Sequence, residues 1–220
     1  LVQLDWCVGE LMKTLDRLKL AEKTLIVFCS DNGPVLDDGY QDGAIEHNGD
    51  HRAAGPYSGG KYSVLEGGTR TPFITRWKGR IPAGESDELV CTIDMSASFA
   101  AMTGAELEKD ACIDSFNVLE AMLGDKAGKG RDHLVQQDNG RGGNFGLRVG
   151  NWKLQRHDSK QARNVKVETP LANTKVTRYR LFDLSSDPGE KKNVIDAHPE
   201  VAKQLITQLE KVISDGRSRH

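Results

Sequence analysis

An aspartate and an asparagine that directly follow an apolar run are the first residues that could do chemistry. Asp31 and Asn32 lie in the tetrapeptide Ser-Asp-Asn-Gly at 30–33, after the β-branched run 24–29. Their carboxylate and carboxamide oxygens are hard ligands, suited to calcium or magnesium and poor for zinc. In open parallel sheets, ligands bind beyond the carboxyl ends of the strands, which is where these side chains would lie. An Asn-Gly turn is the alternative, and the local sequence favours neither.

A lysine behind two glycines is the second candidate. Gly59 and Gly60 precede Lys61, so the backbone can approach a ligand closely and the lysine can act as a point charge on an anion. The segment 55–62 nearly matches the phosphate-loop pattern G-x-x-x-x-G-K-[ST], but Tyr62 replaces the hydroxyl residue and no strand precedes the segment. A nucleotide loop is therefore excluded, and the alternative is a solvated surface lysine.

Two histidines lie in the long stretch between these candidates. The stretch 33–61 has neither helical nor strand periodicity, and loops this long in compact domains are usually functional or disordered. His47 and His51 have the spacing of half a zinc site, but Gly49 lies between them and the stretch is not helical. They are interpreted as polar loop residues, with His51 a candidate for binding a substrate.

Two other charged segments are interpreted as structural. Glu66 and Arg70 could form a pair that braces the loop before a strand. The Asp-Pro-Gly-Glu segment at 187–190 has the chemistry of a turn and is given no catalytic role.

Hydrophobic periodicity predicts the elements that position the candidates. A first helix is predicted because apolar residues from Leu4 to Leu18 fall on one helical face. The run 24–29 predicts a central strand of a parallel sheet, buried on both faces. A second strand is predicted over 71–77, and helices over 94–103 and 116–123.

A glycine-rich linker at 124–130 predicts a division of the chain into two parts. Beyond it, alternating runs predict short strands, with a hairpin turn at 150–151, and the segment 199–213 predicts a helix that covers the sheet. We therefore expect part of an α/β domain over 1–124 and an α+β subdomain over 131–220.

Composition excludes several classes of protein. The 30 basic and 32 acidic side chains give a net charge of -2, which argues against nucleic acid as a partner. The longest apolar stretch is far shorter than the roughly 20 residues of a membrane span, so no membrane partner is expected. The four cysteines lack Cys-x-x-Cys spacing and predict neither a zinc site nor a disulfide framework. The sequence leaves the oligomeric state open.

Taken together, the segments resemble the C-terminal half of a type I, formylglycine-dependent sulfatase, of the arylsulfatase kind. The resemblance covers nearly the whole chain, and it is carried by the segments 24–33, 59–61 with 65–72, 147–154, and 181–184 with 187–193. It implies an α/β fold, an alkaline-phosphatase-like sandwich that is partial here, followed by a small C-terminal antiparallel sheet with one helix.

The resemblance also implies a role for each candidate. Asp31 and Asn32 would supply two ligands of one divalent cation, usually calcium, and Lys61 would contact the sulfate as a catalytic residue. The implied substrate is a sulfated small molecule or carbohydrate, and the long polar loop at 37–51 favours a carbohydrate. The implied location is the periplasm or outside the cell.

The chain departs from the family because it lacks the nucleophile motif. No cysteine begins a Cys/Ser-x-Pro-x-Arg pattern, so formylglycine and the remaining metal ligands are expected in a preceding part. A chain that begins inside a helix is itself expected to be a piece of something longer. We therefore expect a sulfuric ester hydrolase fragment. The alternatives are a phosphodiesterase or phosphonate hydrolase of the same superfamily, or a non-catalytic calcium- or glycan-binding module.

Overall fold

The computed structural model describes residues 1–35, 40–138, 144–157 and 177–219. Within these ranges, no helix is long and apolar enough to cross a membrane. The helices and strands are α1 (Val2–Arg17), β1 (Ile26–Cys29), α2 (Ala44–Asn48), α3 (Glu66–Thr69), β2 (Phe73–Arg76), α4 (Met95–Thr103), α5 (Leu119–Met122), β3 (Leu134–Gln137), β4 (Phe145–Val149), β5 (Trp152–Arg156), β6 (Tyr179–Asp183) and α6 (Pro199–Asp215).

Most of the longer elements lie where the sequence predicts them, since their signals are local. The interpretation of the stretch around His47 as not helical is wrong, because α2 (Ala44–Asn48) includes His47, and α3 was not predicted either. Gly104, with a φ of 72°, ends α4, and Gly216, with a φ of 64°, ends α6. Pro199 occupies the first turn of α6, where its missing N–H costs nothing. The helix predicted over 116–123 is shorter and spans only α5.

The first sheet differs from the prediction. β1 pairs with β2 in an antiparallel ladder that sets Ile26 opposite Arg76 and Cys29 opposite Phe73. All four β1 residues are partly exposed. The prediction of a central parallel strand buried on both faces is therefore wrong for the described chain. A continuous apolar run predicts a strand in apolar surroundings, but it does not specify the direction of the neighbouring strand.

The second sheet has four antiparallel strands in the order β3-β4-β5-β6, as the alternating runs predict. Val149 lies opposite Trp152, so residues 150–151 form the predicted two-residue turn. Gly150 takes a φ of 54°, a left-handed conformation that glycine adopts without steric cost.

One face of this sheet packs against α6 to form the core of the C-terminal part. Successive side chains of a strand point to opposite faces, so alternate apolar residues line one face. All the buried residues of this core are 5% exposed or less, and they are Leu147, Leu154, Leu181, Ala202, Leu205 and Leu209.

The opposite face of the sheet is mostly polar and also buried, although it includes Phe182 of β6 beside Lys153. Lys153 and Gln155 of β5 are fully buried, and Arg180 of β6 is 4% exposed. Alternation normally leaves such a face in solvent. Here it packs against the part of the chain that contains α3, and this contact positions the candidate site.

Candidate functional site

One cavity of about 610 Å³ brings the three main predicted residues together. Asp31, Asn32 and Lys61 all line it, so the Ser-Asp-Asn-Gly turn and the lysine lie on the same side of the fold. The remaining walls come from residues of α3 and β2, from 86–92, and from 134–138 with Arg148. The roles of the three residues as metal and anion ligands stay predictions.

The Asp31–Asn32 turn is held by its own hydrogen bonds. The Ser30 hydroxyl donates to the Asn32 carbonyl oxygen at 3.0 Å, and the Asn32 backbone N–H donates to Asp31 Oδ1 at 3.1 Å. Asn32 Nδ2 donates to the Gly33 carbonyl at 2.9 Å. This bond uses the amide nitrogen of Asn32 and does not involve its amide oxygen.

The turn packs directly on the backbone of α3. The Gly33 N–H donates to the Gly68 carbonyl at 2.9 Å. A Cβ atom on Gly33 would lie only 1.9 Å from the Gly67 carbonyl oxygen. Position 33 therefore requires glycine because another backbone approaches it closely.

The lysine segment contacts the same turn. The Lys61 N–H donates to the Pro34 carbonyl at 2.9 Å, and Gly59 takes the left-handed φ of 79°. The Nζ atom of Lys61 lies 5.0 Å from the ring centroid of Tyr62, a cation–π distance. The two candidate segments thus lie side by side, and the alternative that Lys61 is a surface residue remote from the Asn-Gly turn is excluded.

Asp31 and Asn32 fit part of a site for a hard cation. Their carboxylate and carboxamide oxygens are the donors that calcium prefers. Within the described ranges, no group of three or more His, Cys, Asp or Glu side chains could hold a metal ion. Asp31 and Asn32 would be two of several ligands, and they do not complete a site by themselves.

His51 is not brought into the cavity. It is exposed, follows α2, and its N–H donates to the Asn48 carbonyl at 2.9 Å. It is not among the residues that line the cavity. Asp37 and Asp38 of the predicted substrate loop lie outside the described residues, so the role of the loop stays a prediction.

Sequence reasoning missed how strongly Glu66 is held. The predicted pair with Arg70 is present at 3.7 Å, but Lys153 and Arg148 lie closer, at 2.8 and 3.1 Å. Burial by itself raises the pKa of Glu66. The charges of Lys153 and Arg148, together with the Lys153 hydrogen bond, outweigh this effect and hold the pKa below its usual value.

Glu190 is a second carboxyl that the sequence did not reveal. It ends the predicted turn at 187–190, yet it is fully buried. Its Oε2 accepts the Glu66 backbone N–H at 2.6 Å, and its Oε1 accepts Gln155 Nε2 at 2.7 Å. Burial raises the pKa of Glu190 to about 7. No local pattern distinguishes this residue from a solvated turn glutamate.

A buried ion pair supports the wall at 86–92. Arg131 Nη1 lies 2.6 Å from Asp94 Oδ1, and both side chains are at most 1% exposed. Asp94 Oδ2 also accepts the Cys91 N–H at 2.9 Å. The Arg131 N–H donates to the Leu89 carbonyl at 2.7 Å. The end of the predicted linker is therefore fixed to the cavity wall, and the domain boundaries at 124 and 131 stay a prediction.

Comparison with known proteins identifies related sequences. The profile of a family described as Sulfatase matches residues 1–105. An N-acetylgalactosamine-6-O-sulfatase from Bacteroides thetaiotaomicron is 42% identical over 212 residues, which cover 96% of this chain and 40% of that protein. The chain thus spans about two fifths of the length of the curated relatives that it matches along nearly its whole length.

Solved structures give the same result for the fold. A structure from work on the metabolism of multiple glycosaminoglycans by Bacteroides thetaiotaomicron superposes with a TM-score of 0.85 and 41% identity, over 96% of this chain and 43% of that one. A sulfatase from Pseudoalteromonas sp. superposes with a TM-score of 0.75 and 26% identity, over 97% of this chain and 41% of that one. These similarities confirm the expected alkaline-phosphatase-like α/β fold with its small antiparallel sheet.

Proposed function

Because this chain belongs to the sulfatase family, we propose that the protein that carries it hydrolyses sulfate esters. We propose that the sulfate group binds in the cavity beside Lys61. The observation that carries the proposal is the lining of this cavity, where two hard oxygen donors, Asp31 and Asn32, meet a lysine. The chain spans about two fifths of its curated relatives, so the activity is proposed for the full-length protein.

The residues of this chain would act mainly through charge. The Lys61 ammonium would offset negative charge on the sulfate oxygens as the ester bond breaks, which is the largest kind of contribution in many enzymes. A protonated group would assist the departing alcohol. The nucleophile, proposed to be formylglycine, would come from another part of the protein.

The proposed cofactor is one calcium ion held partly by Asp31 and Asn32. Support comes from the hardness of both donors and from the turn that fixes them at one end of β1. When bound, such an ion withdraws charge from the sulfate oxygens and orients the group. The two residues contribute by fixing the position of the ion.

The proposed substrate class is a carbohydrate sulfate. One relative is named for 6-O-sulfated N-acetylgalactosamine, and the lining of the cavity includes Gln136, Gln137 and Asp138, side chains that can bind sugar hydroxyls. Exposed polar residues of the loop, such as Glu46 and His51, could extend this recognition. Export to the periplasm or beyond is part of the same proposal.

The test uses the full-length protein with three substrates: a 6-sulfated N-acetylgalactosamine, a small aryl sulfate and a phosphodiester. We expect release of inorganic sulfate that is lost with a chelator and restored by calcium. Preferential cleavage of the phosphodiester would favour the phosphodiesterase alternative. Binding of the sugar without sulfate release would favour the binding module. The segment 1–220 alone is expected to be inactive.

Substrate recognition by His51 is tested in the same assay. His51→Ala is expected to lower kcat/KM for the sugar sulfate more than for the aryl sulfate. Equal losses on both substrates would argue against a role in recognising the sugar.

A further inference from the structure

The polar face of the small sheet holds one residue of the cavity wall by its side chain. Glu66, which lines the cavity, is 1% exposed. Its Oε1 lies 2.8 Å from Lys153 Nζ and its Oε2 lies 3.1 Å from Arg148 Nη1. Both partners belong to strands of the small sheet, so Glu66 is fixed by a part of the chain more than 80 residues away.

The backbone of Glu66 is fixed by the same face. Its N–H donates to Glu190 Oε2 at 2.6 Å, and Glu190 is held in turn by Gln155 of β5 at 2.7 Å. Glu66 therefore has little freedom to move in relation to the small sheet.

Gly67 and Gly68, which follow Glu66, lie between the Asp31–Asn32 turn and the segment that carries Lys61. Gly68 accepts the Gly33 N–H at 2.9 Å, and the Gly67 N–H donates to the Ser58 carbonyl at 2.8 Å. A Cβ atom on Gly67 would lie 2.4 Å from the Ser58 carbonyl oxygen, and one on Gly68 would lie 2.4 Å from the Gly60 carbonyl oxygen. With backbone against backbone and no side chain between them, a displacement of Glu66 moves both segments.

We propose that Lys153 and Glu66 are positioning residues that fix the Asp31–Asn32 turn and Lys61 at the distance needed for a cation and an anion to bind together. This inference rests on the proposed function. Neither residue is assigned a step in the reaction. Supporting groups of this kind around a metal site typically contribute about 10- to 100-fold to affinity or activity.

Two single variants separate positioning from the effect of charge. Lys153→Met makes the surroundings of the cavity more negative, and Glu66→Gln makes them more positive. If the pair acts only through its charges, calcium binding strengthens in the first variant and weakens in the second. If the pair fixes the turn, calcium affinity falls in both variants, by about tenfold or more.

The experiment is a calorimetric titration of the metal-stripped, full-length protein with calcium chloride, followed by the sulfatase assay. Leu209→Ala is the matched control, since it weakens the core of the small sheet without contacting Glu66. We expect this control to keep the calcium affinity of the wild type, and Lys153→Arg to recover most of the loss. Opposite shifts in the two single variants would overturn the inference.

A double variant covers the case in which a single variant does not fold. Glu66→Gln with Lys153→Met removes both buried charges of the pair, and Arg148, the other close partner of Glu66, is 14% exposed and can be solvated. The double variant is expected to fold and to bind calcium about tenfold more weakly or worse. Unchanged calcium affinity in the folded double variant would overturn the inference while leaving the proposed function intact. Wild-type protein that binds no calcium and releases no sulfate would overturn both.

Discussion

The Nζ atom of Lys153 lies 2.8 Å from Oε1 of Glu66, and neither side chain is more than 1% exposed. Lys153 belongs to β5 of the small sheet, and Glu66 begins α3, against which the Asp31–Asn32 turn packs. Because a buried charge without a partner is costly, this pair makes the fold of one part depend on the presence of the other.

Removing one member of this pair is expected to destabilise the protein. Lys153→Ala should lower the free energy of unfolding by about 1–3 kcal/mol, because the buried Glu66 carboxylate loses its nearest partner and keeps only Arg148 at 3.1 Å and Arg70 at 3.7 Å. Urea denaturation of the full-length protein measures this loss. The double variant Glu66→Gln with Lys153→Met should lose less than Lys153→Ala, since it removes the buried carboxylate together with its nearest cation, and the new amide oxygen can still accept from Arg148, which is 14% exposed. Equal losses in the two would contradict this account.

Glu190 is expected to make stability depend on pH. Burial raises its folded-state pKa to about 7, above the ordinary value of 4.5. The folded protein therefore binds the proton more tightly, so the stabilisation is fully present below about pH 4.5 and is lost as the pH rises to about 7. Over the whole range, the loss would be about 3 kcal/mol.

Glu190→Gln removes this titration and serves as the comparison. Urea denaturation from pH 4.5 to 8 measures the unfolding free energy of both proteins. As the pH rises, the unfolding free energy of the wild type should fall relative to that of the variant. Titrating groups that do not interact with Glu190 are common to both proteins and cancel. A difference that stays constant over this range would show that the Glu190 pKa is not raised.

Local signals explain how much of the fold could be predicted. Each strand of the small sheet alternates over its own few residues, and the turn at 150–151 and the helix α6 are marked by nearby glycine and proline. The end of a strand and a glycine-flanked lysine also predicted that Asp31 and Lys61 each suit a ligand site, and both residues line the same cavity.

The rest depends on contacts between distant residues. Glu66 and Lys153 are 87 positions apart, and alternation in β5 predicts only that Lys153 lies opposite the apolar face. That this polar face would be buried, or that Glu190 would accept the Glu66 N–H, follows from how the two parts pack. The antiparallel pairing of β1 with β2 was missed for the same reason.

Gly33→Ala is expected to disrupt the cavity. Its Cβ atom would lie 1.9 Å from the Gly67 carbonyl oxygen, so one of the two backbones must move. Overpacking of this kind typically costs about 1–3 kcal/mol of unfolding free energy, and here the displaced segment carries Asp31 and Asn32. Thermal denaturation and calcium titration should both show the change.

Gly84→Ala is the matched control for this substitution. No atom lies within 4 Å of a Cβ built there, and Gly84 has no left-handed φ. It is expected to leave melting temperature and calcium affinity nearly unchanged. A comparable effect from both substitutions would indicate that the close approach of Gly33 to Gly67 has no special role.

Asp31 and Lys61 are expected to differ in what their removal does. Asp31→Ala in the full-length protein should weaken calcium binding, because it deletes a charged oxygen ligand. Lys61→Ala should spare calcium binding and lower kcat by about 100- to 1,000-fold, the usual effect of deleting a group that stabilises developing negative charge. Calcium titration and initial rates of sulfate release, measured on the same preparations, separate the two effects. Asp31→Asn is a useful intermediate, since it keeps one oxygen donor and removes the charge. If Lys61→Ala weakened calcium binding as much as Asp31→Ala, the division between a metal-binding turn and an anion-binding lysine would be wrong.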